Sequence, residues 1–126
     1  MQMPQPDQGV LSNKPRIVAR LRAALGDRGV IDDPIELIAY ECDGLAAYRC
    51  PPLCAVLPAS TAEVAAVMKI CHEEGVPVVP RGAGTSLSGG ALPTADAVLL
   101  GVARMNRVLE TDSANRFVRV EAGRTN

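Results

Sequence analysis

The stretch Val76-Pro77-Val78-Val79-Pro80-Arg81-Gly82-Ala83-Gly84-Thr85-Ser86-Leu87-Ser88-Gly89-Gly90 sets a short β-branched run directly before a glycine-rich turn. Val76 to Val79 reads as a buried strand. Of the eleven residues from Pro80 to Gly90, four are Gly, two are Ser and one is Thr. Glycine tolerates positive φ and lets a ligand approach the main chain. Successive N–H groups in such a turn can converge into a concave anion site. Thr and Ser hydroxyls add donors, and Arg81 adds positive charge. The stretch has the makings of a pyrophosphate cradle; the alternative is a surface loop whose glycines serve only turns.

Two familiar phosphate motifs do not fit. Gly84 and Gly89 have the spacing of a Walker A loop, but Gly90-Ala91 follows where Lys and Ser or Thr are required. Gly82-Ala83-Gly84 starts like a dinucleotide fingerprint, but Leu87 stands at its third glycine position. Ala91-Leu92-Pro93-Thr94 then opens no amphipathic helix.

Upstream, Leu53-Cys54-Ala55-Val56-Leu57 reads as a buried strand stopped by Pro58. Ser60-Thr61-Ala62-Glu63 is a capping box, with Glu63 expected to reach back. Val64, Val67, Met68 and Cys71 follow at helical spacing, and Gly75 ends the helix. Residues 53–79 thus form a β-α-β unit, normally a right-handed parallel crossover. The glycine turn leaves the carboxyl end of a parallel strand, where ligands bind in open α/β sheets.

Downstream, Ala97 to Val102 reads as a third buried strand. Val108-Leu109-Glu110 leads into turn chemistry at Thr111 to Asn115. Phe117-Val118-Arg119-Val120-Glu121 alternates like a half-exposed strand. That last strand is expected to have unpaired edges, which suggests part of a larger protein.

Before Leu53 the pattern is helical. Residues 1–12 are Pro/Gln-rich and expected to be disordered. Pro15 suits the first turn of a helix running to about Leu25. Its apolar stripe is Ile17, Val18, Leu21, Ala24 and Leu25; Arg16, Arg20 and Arg22 form a solvated face. Asp33-Pro34-Ile35-Glu36 starts a second, short helix ending near Glu41.

The 126 residues are 48% hydrophobic and 21% charged, with a net charge of −1. One domain with a modest core fits that length. There is no electrostatic case for nucleic acid, and three aromatic residues offer no base-stacking platform. No run is long enough to span a membrane. The polar start lacks a signal-peptide core, so a cytoplasmic location is expected. Cys42, Cys50, Cys54 and Cys71 do not have zinc-ribbon or redox spacing. Even the most metal-like set, Cys50, Cys54, Cys71 and His72, includes a cysteine on an apolar helix face. No metal site is expected. Nor is any catalytic acid, base or nucleophile constellation visible, since Glu73 and Glu74 read as solvated acids at a helix end.

PRGAGTSLSGGALP, VLLGVARMNRVLETD and FVRVEAG together resemble the first half of the FAD-binding domain of the vanillyl-alcohol oxidase/p-cresol methylhydroxylase family. The upstream YECDGLAAYRCPPLCAVLPASTAEVAAVMKICHEEG resembles the FAD-linked D subunits of bacterial glycolate oxidases. The resemblance runs over about residues 13 to 126. It implies an α/β (α+β) fold: N-terminal helices (13–52), then a small parallel β-α-β subdomain (from residue 53), with a second subdomain only begun. Pro80 to Ser86 match the loop that wraps the FAD pyrophosphate. Pro80, Arg81, Gly82, Ala83, Gly84, Thr85, Ser86 and Gly89 are therefore the candidate cofactor-binding residues. Some relatives attach FAD to a His near this loop; Thr85 and Ser86 stand there, which implies non-covalent FAD. The resemblance also implies a 2-hydroxy acid substrate in the complete enzyme, an iron–sulfur partner subunit, and through it a peripheral membrane association. Two other readings stay open: an inactive fragment or non-catalytic phosphate-binding module, and an interaction fragment whose last strand pairs with another chain.

Overall fold

The computed structural model describes residues 3–125; Met1, Gln2 and Asn126 lie outside them. In chain order the elements are α1 (Gln8–Ser12), α2 (Lys14–Leu25), β1 (Val30–Ile31), α3 (Pro34–Leu37), β2 (Cys54–Val56), α4 (Thr61–Glu74), β3 (Val78–Arg81), β4 (Val98–Gly101), β5 (Val108–Asp112) and β6 (Phe117–Val120). Short 3₁₀ turns follow α2 and α3 at Asp27–Gly29 and Ile38–Tyr40.

The four-stranded sheet has the order β1-β2-β4-β3. β2 and β3 both run parallel to β4, with Ala55 and Val79 flanking Leu99. The expected β-α-β unit is present, but β4 inserts between its two strands. Burial explains that order. Val98, Leu99 and Leu100 are all buried, which only a central strand covered on both faces satisfies. β3 carries Pro80, which cannot donate to a ladder and suits an edge. β1, which the sequence reading lacks, adds antiparallel to the other edge, pairing Val30 with Val56.

Side chains alternate across these strands. Cys54, Val56, Val98 and Leu100 join the larger core with Ile17, Val18 and Leu21 of α2 and Val67, Ile70 and Cys71 of α4. Ala55 and Leu99 pack on the opposite face with Leu37, Ile31 and Tyr40. Each large side chain fully buried this way contributes about 1.5–3 kcal/mol. Two positions expected on apolar stripes are exposed, Ala24 on α2 and Met68 on α4, and Ile70 takes the latter's place.

Caps define the helix ends. Asp33 Oδ1 accepts from the N–H groups of Ile35 and Glu36 at 2.8 and 3.2 Å. Ser60 Oγ accepts from the Glu63 N–H at 3.2 Å, while Glu63 reaches to the Ala59 N–H, one residue beyond the cap, at 2.8 Å. Gly75 closes α4 in the left-handed conformation at φ 66°.

The expectation of disorder over residues 1–12 is corrected from Gln8 onward. Asp7 caps α1, its Oδ1 accepting from Gly9 and Val10, and Val10 is buried in the main core. The Asp7 N–H also donates to Asp96 Oδ2 at 2.8 Å. Asp96 is itself buried; burial raises its pKa, but bonds from the Asp7 N–H, Thr94 Oγ1 and its own N–H outweigh that and hold it low. Val10 and Leu11 packed on the core, and the bond to the Asp96 carboxylate, tie the segment to the domain.

The arginine face of α2 is also not simply solvated. Arg16 and Arg20 bond Glu74 at 2.5 and 2.7 Å, and Arg20 also bonds Glu73, tying α2 to the end of α4. Only 5% of the Glu74 side chain is exposed. The Arg20 hydrogen bonds hold both carboxyls below the ordinary range, with Arg16 adding to the effect on Glu74. A folded-state pKa below the unfolded value means stability present above the unfolded value and lost as pH falls through the folded one. The melting temperature should therefore hold from neutral pH down to about pH 5 and fall below about pH 4.5. Glu74→Gln should lower it at neutral pH and flatten the acid limb; an unchanged acid limb would exclude this cluster as the cause.

Cys54 and Cys71 lie in the core, where burial pushes their thiols up to about 12 and about 11. Cys42 and Cys50 are half-buried. A disulfide reagent at mildly alkaline pH should modify Cys42 and Cys50 in the native chain and reach the other pair only on unfolding. Rapid native modification of all four would contradict the packing of α4 on the sheet.

β5 and β6 form a separate antiparallel hairpin, in register Val108↔Val120 and Asp112↔Phe117 with an irregularity at Leu109. The expected lone final strand thus has a partner, because Thr111 to Arg116 turn tightly enough to return the chain: Asp112 accepts from the backbone and side chain of Asn115. Every β6 residue is exposed, so its alternation separates two faces without covering either.

Candidate functional site

β3 ends at Arg81, and the glycine loop leaves its carboxyl end as expected. Pro80 is exposed on the strand. Gly82, Ala83 and Thr85 are exposed, while Gly84, Ser86 and Gly89 are half-buried. Gly84 and Gly89 have φ of 73° and 76°, the left-handed region that glycine enters without strain. Among the described residues, the N–H groups of Gly82, Ala83, Gly84, Thr85 and Ser86 donate to no protein oxygen. The Ser88 N–H donates to Ser86 Oγ at 3.3 Å, which leaves that hydroxyl its own proton to donate.

Arg81 turns inward. It is 9% exposed, and its Nη2 donates to the carbonyls of Cys42 at 2.5 Å and Ala91 at 2.9 Å. One guanidinium thus ties the start of the loop to its end and to the 41–45 segment. A Cβ on Gly84 would lie 3.3 Å from Arg81 Cδ, so the turn is folded down on this side chain. Arg81 therefore shapes the loop, consistent with a conformational role more than a direct contact. Gly82 differs from Gly84: a Cβ there would meet nothing within 4 Å, so packing within the chain does not demand glycine.

The second wall was not singled out residue by residue in the sequence. Gly44 presses against the loop so closely that a Cβ would lie 2.8 Å from the carbonyl oxygens of both Thr85 and Ser86. Asp43 is 6% exposed, and its Oδ1 accepts from the Leu45 N–H at 2.9 Å, folding the turn that presents Gly44. The Asp-Gly pair is the signal that could have marked this turn. Asp43 Oδ2 and Arg81 Nε are enclosed without a hydrogen-bond partner. The site thus offers a row of unengaged N–H donors above a buried cation, suited to an acceptor-only anion such as a diphosphate.

Other features lie elsewhere. His72 is exposed in the last turn of α4, and Cys50, Cys54 and Cys71 do not converge with it on a metal site among the described residues. A depression of about 680 Å³ between α1, α2 and Asp32, and one of about 420 Å³ beside the hairpin, contain no loop residue. No helix of the described residues is long and apolar enough to cross a membrane.

Comparison with known proteins bears on the fold and the family. A family described as FAD binding domain matches residues 52–126. The glycolate oxidase subunit GlcD of Escherichia coli K12 is 45% identical over 107 residues, covering 85% of this chain and 21% of that protein. A probable mitochondrial D-2-hydroxyglutarate dehydrogenase of Oryza sativa is 32% identical over 84% of the chain and 19% of its own length. The chain thus spans about a fifth of the curated relatives it matches. Among solved structures, p-cresol methylhydroxylase superposes with a TM-score of 0.81 at 27% identity, over 98% of this chain and 24% of that one. With that fold over nearly its whole length and the family match over its larger part, the chain belongs to the FAD-binding domain family of p-cresol methylhydroxylase type.

Proposed function

We propose that the chain is the FAD-binding portion of a flavin-dependent 2-hydroxyacid dehydrogenase of the glycolate type, holding the FAD diphosphate non-covalently on Pro80 to Ser86 and Gly89. The observation that carries this is the run of unengaged N–H groups from Gly82 to Ser86, held at the carboxyl end of β3. A diphosphate accepts hydrogen bonds and donates none, so donors are what its site must supply. Gly84 and Gly89 give the backbone its turn, Thr85 and Ser86 bring hydroxyls, and Arg81 fixes the loop from beneath. The hydroxyacid class is supported by relatives whose names carry glycolate and 2-hydroxyglutarate, both 2-hydroxy acids. Thr85 and Ser86 support non-covalent attachment, since neither is a histidine. Bound FAD would supply the acceptor for a hydride from the α-carbon of the hydroxy acid. The same reading includes an iron–sulfur partner subunit that takes the electrons, and a cytoplasmic location, peripheral to the membrane through that partner.

Equilibrium dialysis of the 126-residue chain with FAD, using ADP as competitor, tests the binding role. Saturable FAD binding that ADP displaces is the expected result. Gly82→Ala sharpens it: the variant should melt with the wild type, since its Cβ meets nothing in the chain, yet bind FAD about 10-fold more weakly. Wild-type affinity in that variant would move the diphosphate away from Gly82.

A further inference from the structure

Asp43 stands out because the cradle just described does not use it. Its Oδ2 is one of two enclosed side-chain atoms without a partner among the described residues, and the other, Arg81 Nε, belongs to the loop. The placement of Asp43 is bracketed on both sides. The Cys42 carbonyl accepts from Arg81, and Gly44 rests on the carbonyls of Thr85 and Ser86. Residue 43 therefore sits in the turn that backs the loop, between the loop's first and middle residues. Its Oδ1 is already engaged by the Leu45 N–H, so the turn does not need the second oxygen. No cation lies within ion-pair distance of it among the described residues.

A carboxylate accepts and does not donate, so the partner missing from Oδ2 is an N–H or O–H. Phosphate oxygens cannot be that partner, and a second negative charge beside them is repulsive. The hydroxyl-bearing sugars and sugar alcohols esterified to a diphosphate have the right chemistry, and they lie immediately beside it. We propose that Asp43 is a ligand-binding residue whose Oδ2 accepts a hydrogen bond from a sugar or polyol hydroxyl flanking the diphosphate held by residues 80–89. This rests on the reading of those residues as the cradle. The oxygen is enclosed in the ligand-free chain, so the contact requires the turn around Asp43 to open towards the ligand on binding. Asp43 then selects a diphosphate that carries a hydroxylated carbon chain over bare pyrophosphate.

Asp43→Asn separates this role from a structural one. Asn keeps an oxygen for the Leu45 N–H but replaces Oδ2 with a donor and removes the charge. Dissociation constants of the wild-type chain and of D43N are measured for FAD, ADP and inorganic pyrophosphate. The expected pattern is selective: FAD binding about 10-fold weaker or more, pyrophosphate binding unchanged or tighter. Weakening of ADP as well places the hydroxyl on the adenosine ribose; weakening of FAD alone places it on the flavin-side polyol, and either supports the proposal. Unchanged FAD affinity overturns it, and so does equal loss of FAD and pyrophosphate, which would mean that Asp43 only supports the turn. If wild-type chain binds pyrophosphate but D43N does not weaken FAD relative to pyrophosphate, the cradle stands and Asp43 fails. If wild-type chain binds none of the three, the cradle reading falls and takes this one with it.

Discussion

Gly84→Val is expected to abolish measurable FAD binding by the chain. Gly84 sits at φ 73°, where a β-branched side chain is strained by about 1–3 kcal/mol. Its Cβ would also stand 3.3 Å from Arg81 Cδ, in the middle of a buried side chain anchored by two carbonyls. Arg81 cannot swing away without releasing Cys42 and Ala91, so the turn itself must change shape. That change moves the N–H groups of Gly82 to Ser86 out of their common arrangement. The loss corresponds to at least about 100-fold in affinity at the upper end of that strain. The sheet and helices do not pass through residue 84, so circular dichroism should show the same secondary structure in variant and wild type. Equilibrium dialysis checks the affinity, and wild-type FAD occupancy in the variant would refute the cradle.

Gly44→Ala is expected to weaken FAD binding about 10-fold or more, although residue 44 lies almost forty positions before the loop in sequence. The added Cβ would face two main-chain carbonyl oxygens at 2.8 Å, and neither is the tip of a flexible side chain. Overpacking of this kind costs about 1–3 kcal/mol, and the exposed loop is the partner with freedom to yield. The same substitution at Gly82 adds no such contact within the chain, so the two alanine variants separate a clash between protein segments from a clash with ligand. Melting curves complete the comparison. Gly44→Ala should melt lower than wild type while Gly82→Ala does not, and a Gly44→Ala variant with wild-type stability and affinity would show that the two segments do not press on each other.

Much of the fold was legible because it rests on local chemistry. Asp33, Ser60 and Gly75 cap helices through bonds that reach no further than a few residues, and each was readable as a cap. The apolar runs at 53–57 and 97–102 marked strands buried on both faces, and the loop after Val76 to Val79 declared its own turn through its glycines. The position of the glycine loop was legible to the same depth, since it leaves the carboxyl end of β3 as read, and the family resemblance is shown by the family match.

What sequence alone determined, then, were most of the pieces and their ends, though not α1 or β1, because capping, alternation and left-handed turns are decided within a few residues of the chain. Only the tertiary structure decided how the pieces meet. It placed β4 between β2 and β3, ordered α1 through a carboxylate on Asp96, and turned Arg16 and Arg20 from a solvated face into partners of Glu74. It also set Asp43 and Gly44 behind the glycine loop and aimed Arg81 inward at Cys42. Each of these joins residues 39 or more positions apart or depends on which strand is central. Such contacts come from burying apolar surface and satisfying buried polar groups across the whole domain, and no local periodicity records them.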